Sequence, residues 1–172
     1  QEYLNFCQGE KFHVQTKHDD SPVTQADLKA NQFIEAALQE LTPMLPLLSE
    51  ENEHHERHAW SRCWLLDPLD GTKEFLHQRP EFTINLSQIE NGKTSFSAIA
   101  IPAQQLVYIG YLDQHPYKYD AEQQQWYIYQ IPETQTLEPI HVGLSHRSKQ
   151  PEYQQFIEIS QQQHAIETSQ AG

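Results

Sequence analysis

Apolar residues at Ala30, Phe33, Ile34, Ala37, Leu38 and Leu41 recur at a helical period and stop before Pro43. That spacing predicts an amphipathic helix. Its start is marked by the turn-forming run Ser21-Pro22-Val23-Thr24, with Thr24 and Asp27 at capping-box spacing and Asp in place of the usual Glu. Leu47-Leu48 is a short apolar piece that runs into Ser49-Glu50-Glu51, and residues 52–59, with His54, His55, Glu56, Arg57 and His58, read as a solvated loop. Trp64-Leu65-Leu66 predicts a buried strand ending on Asp67. Phe82, Ile84 and Leu86 alternate with polar residues, Asn91-Gly92 marks a hairpin turn, and Phe96, Ala98 and Ala100 alternate on the return. Residues 107–112 and 126–131 predict further strands, and residues 150–163 a helix whose apolar content is Tyr153, Phe156, Ile157 and Ile159. An antiparallel run of strands with helices before and after it predicts an α+β layer fold, not a doubly wound parallel sheet.

Composition narrows the function. The 172 residues suffice for one core, or one domain and the beginning of another, and 37% hydrophobic content is low for a globular domain but too high for a disordered one. Eleven basic residues against 24 acidic ones leave a formal net charge of -13, which argues against a nucleic-acid groove. Phosphate substrates remain compatible with that charge where bound cations reverse the local field. No apolar run approaches a membrane span and no secretory leader is evident at the start, so a soluble chain is expected. The two cysteines, Cys7 and Cys63, lack metal-ligand spacing and read as reduced thiols in a cytoplasmic compartment, Cys63 as core filling.

The candidate chemistry sits in Asp67-Pro68-Leu69-Asp70-Gly71-Thr72. Two carboxylates three residues apart at the end of a buried strand suit Mg²⁺ or Mn²⁺, because hard cations take oxygen ligands. Pro68 stiffens the turn, Gly71 lets the backbone approach a ligand, and Gly71, Thr72 and Lys73 open a helix to Leu76 whose amides would face an anion. Taken alone, the same residues suit an ordinary turn whose aspartates cap a helix. Asp27 taken alone is a capping acid, and Glu50 with Glu51 a solvated loop pair.

In combination these segments resemble the inositol monophosphatase superfamily. The likeness is carried by Asp27 after Ser-Pro-Val-Thr, by Glu50-Glu51 after Leu-Leu-Ser, and by the run from Trp64 to Phe75. Asp70-Gly71-Thr72-Lys73-Glu74-Phe75 and Glu81-Phe82-Thr83-Ile84-Asn85 are similar to the bacterial CysQ-like branch, 3′(2′),5′-bisphosphate nucleotidases. The resemblance implies a layered αβαβα sandwich and hydrolysis of adenosine 3′,5′-bisphosphate to AMP and phosphate, in support of sulfate assimilation. It implies two or three Mg²⁺ per site. Glu50, Asp67 and the Leu69 carbonyl would hold one ion, Asp67 and Asp70 a second, and Glu51 a third through water. Thr72 and Asp27 would orient and deprotonate the attacking water, with the phosphate on the amides of Gly71 and Thr72. Lys73 is either a first-turn lysine or a contact to the second phosphate. Inositol phosphates are the alternative substrates, and a metal- or phosphate-binding role without turnover is the alternative from outside catalysis. The histidine cluster reads as solvated surface.

Near the second domain the branch carries Ser-Arg-Ser-His, where this chain has Gly143-Leu144-Ser145-His146-Arg147. Ser145 is the substrate contact this run implies, and the preceding Arg is replaced. The resemblance divides the chain into a metal-binding domain, 1–140, and the beginning of a substrate-recognition domain, 141–172. It also places a further metal-binding Asp in a Trp-Asp-x-Ala helix downstream of Gly172 and an opening helix upstream of Gln1, so the 172 residues are expected to be weakly active at best. A homo-oligomer, a small nucleotide as partner and a cytoplasmic location, with a peripheral place at the inner membrane as the variant, complete the expectation.

Overall fold

A computed structural model describes residues 14–16, 22–52, 60–130, 140–144, 151–163 and 166–170. The chain forms two compact units, residues 1–130 and 131–172. In the first, β1 (Val14–Thr16) pairs antiparallel with β2 (Pro22–Thr24), which leads into helix α1 (Gln25–Leu41). A mixed sheet follows, with strand order β3 (Leu47–Ser49), β4 (Arg62–Asp70), β5 (Thr83–Glu90), β6 (Lys93–Ile101), β7 (Leu106–Tyr111), β8 (Tyr117–Asp120) and β9 (Gln125–Ile128). Only the β3–β4 pair is parallel; the rest is an antiparallel meander. Helix α2 (Thr72–Leu76) sits in the β4–β5 connection. The second unit holds β10 (Ile140–Leu144), α3 (Pro151–Gln163) and β11 (Ile166–Gln170), with β10 and β11 parallel. The fold is α+β, as the sequence of elements predicts.

Local chemistry accounts for the element ends. The Thr24 side chain accepts from the amides of Ala26 and Asp27 while the Asp27 carboxylate accepts from the Thr24 amide, a complete capping box. Asn91 and Gly92 both take positive φ and close a two-residue hairpin with Glu90 opposite Lys93.

Two expectations fail for one reason. Phe33 and Leu41, assigned to the apolar face of α1, are 78% and 77% exposed. Leu38 is buried and Ala30, Ile34 and Ala37 half-buried as expected, but the rest of the buried stripe is Ala26, Asp27 and Asn31, two of them polar. Hydrophobicity alone cannot find a helix face that is buried to make hydrogen bonds. Strand β8 is absent from the sequence reading: Tyr117-Lys118-Tyr119-Asp120 alternates, but over only four residues.

A small core pins the β4–β5 connection: Ala26, Leu69, Phe75 and Phe82 pack together. The rings of Phe75 and Phe82 meet edge to face at 5.4 Å, a geometry favoured by the aromatic quadrupole. Full burial of one Phe is worth about 2–3 kcal/mol, enough to hold a five-residue helix that would not persist alone.

Candidate active site

In a regular strand, residues three apart face opposite sides. The β4–β5 ladder pairs Asp67 with Asn85 and Asp70 with Thr83, so three steps on β4 match two on β5. This β-bulge inserts one residue and returns Asp70 to the face that carries Asp67. Pro68, fully buried, lies inside it, where the missing amide hydrogen disrupts no regular ladder.

Asp67 sits among carboxylates. Its pKa is pushed up to about 6, first by burial and then by the charges of Glu50 and Asp70; the Leu69 amide, donating to Asp67 Oδ1 at 3.2 Å, opposes the rise. Asp67 and Glu50 line one cavity of about 470 Å³ with Leu48, Ser49, Asn52, Leu65 and Leu66. Asp70 is held by Asn85, the cross-strand partner of Asp67, whose Nδ2 donates to its Oδ2 at 3.1 Å. Among the described residues no three His, Cys, Asp or Glu side chains are arranged as a metal cage. The donor chemistry still fits a hard cation. The charges of Glu50 and Asp70 crowd Asp67, and a divalent ion can offset them. Mg²⁺ commonly uses only one or two carboxylates and keeps several waters.

The second constellation is centred on Thr72. Its hydroxyl lies 3.4 Å from Asp27 Oδ1 and 3.2 Å from the Leu69 carbonyl oxygen, and donates toward these acceptors. Asp27 divides its two oxygens: Oδ2 accepts from the Thr24 amide at 2.8 Å and from the Thr24 hydroxyl, while Oδ1 faces Thr72. The capping and the long-range readings of Asp27 are therefore both present in one side chain. The Leu69 carbonyl, expected to face a metal, bonds to Thr72, with a second lone pair remaining.

Gly71 is required for a reason the sequence does not reveal. Its φ is +95°, and a Cβ there would stand 2.9 Å from the Glu81 carbonyl oxygen and 3.2 Å from Phe82. The close approach is to the protein's own backbone. Lys73 is exposed, Glu51 half-buried, and the Glu51 amide donates to Ser49 Oγ at 3.3 Å. Ser145 and the histidine cluster lie outside the described residues. Sequence reasoning passed over Asn31, Ser49 and the role of Asn85, all polar groups whose signal is burial or a cross-strand partner.

The Inositol monophosphatase family model matches residues 2–170. Over 94 residues the chain is 47% identical to the 3′(2′),5′-bisphosphate nucleotidase CysQ of Salmonella typhimurium, covering 54% of this chain and 38% of that relative. The chain thus spans about two fifths of the length of that curated relative. Among solved structures, CysQ from Bacteroides thetaiotaomicron superposes with a TM-score of 0.76 at 26% identity, covering 99% of this chain and 68% of that one. A Staphylococcal inositol monophosphatase in a LiCl-soaked inhibitory complex shares the fold, with a TM-score of 0.57 at 24% identity over 61% of this chain and 40% of that one.

Proposed function

The chain belongs to the inositol monophosphatase family, and from that footing we propose that it is a Mg²⁺-dependent phosphomonoesterase that removes the 3′-phosphate from adenosine 3′,5′-bisphosphate. The observation that carries the reading is the approach of Thr72 to Asp27, 45 positions apart, in a chain whose Asp67 is crowded by the charges of Glu50 and Asp70. The likeness to CysQ supports the choice of a bisphosphate nucleotide over an inositol phosphate.

Asp27 Oδ1 accepts the Thr72 proton, which leaves the Thr72 oxygen lone pairs to accept from an attacking water and orient it. The water's proton passes to this pair as its oxygen bonds to phosphorus, the bond to the ribose oxygen breaks, and that oxygen takes a proton from solvent to leave as the hydroxyl. Glu50, Asp67 and the Leu69 carbonyl hold one ion in this reading, Asp67 and Asp70 a second, and Glu51 a third through water. When bound, Mg²⁺ supplies the positive charge that eases proton loss from water and offsets the charge on the departing oxygen. The amides of Gly71 and Thr72 cradle the phosphate, Lys73 meets the second phosphate, and Ser145 contributes from the substrate-recognition segment, 141–172. Phe75 and Phe82 hold this loop still, and phosphoryl transfer depends mostly on such positioning.

No helix among the described residues is long and apolar enough to cross a membrane, and the proposal places the enzyme in the cytoplasm, serving sulfate assimilation. Phosphate release should be measured with adenosine 3′,5′-bisphosphate and with inositol 1-phosphate at saturating Mg²⁺, in Na⁺ and in Li⁺ at equal ionic strength. Selective turnover of the nucleotide, suppressed by Li⁺, is expected, since Li⁺ matches Mg²⁺ in size with half its charge. Faster release from inositol 1-phosphate overturns the substrate, and indifference to Mg²⁺ overturns the mechanism.

A further inference from the structure

Asn31 and Ser49 are 4% and 3% exposed, and the chemistry above uses neither. Ser49 ends β3, and the turn after it carries Glu50 and Glu51. The Asn52 amide closes that turn on the Ser49 carbonyl at 3.3 Å, while the Glu50 amide continues the parallel ladder to the Leu66 carbonyl at 3.1 Å. Asn31 grips both ends. Its Oδ1 accepts from Ser49 Oγ at 2.5 Å, and its Nδ2 donates to Asn52 Oδ1 at 3.3 Å. Ser49 Oγ in turn accepts from the Glu51 amide.

We propose that Asn31 is a positioning residue for the divalent-cation site: its amide clamps the 49–52 turn and sets where Glu50 and Glu51 stand. This inference rests on the metal-dependent reading above. Asn31 lies one helical turn after Asp27 on the buried stripe of α1, where residues four apart stack on one face. One rigid helix therefore fixes two things at once: the carboxylate that faces Thr72 and the turn that presents the acidic pair. A side-chain amide suits this task, because it offers a donor and an acceptor from one planar group. An apolar residue would remove an acceptor from the buried Ser49 hydroxyl and a donor from the half-buried Asn52, loosening the turn between them.

The test is Mn²⁺ binding, followed by the electron paramagnetic resonance of free Mn²⁺, in the wild type, Asn31→Ala, Ser49→Ala, the double variant and Asp67→Asn. Partners that orient metal ligands commonly change metal affinity about 10–100-fold. Asn31→Ala and Ser49→Ala are each expected to weaken Mn²⁺ binding about tenfold or more, with little further loss in the double variant, as for residues acting through one contact. Mn²⁺ binding unchanged in Asn31→Ala, with only the thermal midpoint lowered, overturns the proposal. If Asn31→Ala does not fold, Ser49→Ala decides by the same criterion. Asp67→Asn separates the two levels. Loss there with retention in Asn31→Ala defeats the clamp alone; wild-type binding in Asp67→Asn defeats the metal reading beneath it.

Discussion

Replacing Asp67 by Asn removes one charge from a crowd of three carboxylates while keeping the side chain's shape. The Asn oxygen can still accept from the Leu69 amide, and its NH₂ can donate to Glu50. Asp67 has a pKa of about 6 against an ordinary 3.8. Between those values the folded chain holds a proton that the unfolded chain has released, so stability falls as pH rises through the window and the loss is complete above about pH 6. Two pKa units correspond to about 3 kcal/mol. Asp67 is only half-buried, and solvent screening lowers this to the order of 1–2 kcal/mol. In chelator at neutral pH, Asp67→Asn should therefore be more stable than the wild type, raising the thermal midpoint by roughly 2–8 °C. The difference should shrink as pH falls toward 4. Mg²⁺ should reverse the order, because the wild type gains from binding the ion and the variant does not. The assay is thermal unfolding by circular dichroism at both pH values, with and without Mg²⁺. A variant that is less stable in chelator at neutral pH, or that gains as much from Mg²⁺ as the wild type, would refute the reasoning.

Two further expectations follow from the same geometry. Thr72→Val removes the hydroxyl shared by Asp27 and Leu69, and phosphate release should fall about 10²–10³-fold with only about 1 kcal/mol lost in stability; Thr72→Ser should restore most of the rate, and equal rates in Thr72→Val and wild type would dismiss Thr72 from catalysis. Gly71→Ala should cost about 2–4 kcal/mol, from a left-handed backbone and a Cβ driven against Glu81, as read by urea unfolding; a loss under about 0.5 kcal/mol would show that the loop relaxes freely.

The parts of this fold legible in the sequence are those set by neighbours along the chain. The Thr24–Asp27 cap and the Asn91-Gly92 hairpin each depend on residues within a few positions. The parallel pairing of β3 with β4 and the bulge between Asp67 and Asp70 depend on partners chosen by the folded sheet. Asn31 shows the limit most clearly. As a polar residue within a helical pattern it reads as solvent-facing, and only the Ser49–Asn52 turn docked against it explains its burial. The order of the acidic residues carries a resemblance that implies shared ions, but nothing local to the sequence shows the bulge that sets Asp70 beside Asp67. Asp70, at an odd spacing from Asp67, reaches the same face only because a residue between them has no partner.

That extra residue makes the centre tolerant of one kind of change and intolerant of another. Swapping Leu69 or Pro68 for a side chain of similar bulk leaves the count between the two aspartates intact. Deleting either would leave the aspartates two apart in a regular ladder, still on one face, but would remove the corner that aims the Leu69 carbonyl at Thr72 and packs Leu69 against Phe75 and Phe82. Adding one residue that the bulge does not absorb would turn Asp70 through the sheet, away from Asp67. Side chains in this loop can drift while its length stays locked, so length variation among descendants of this chain should collect in the turns beyond β5 and not between these two carboxylates.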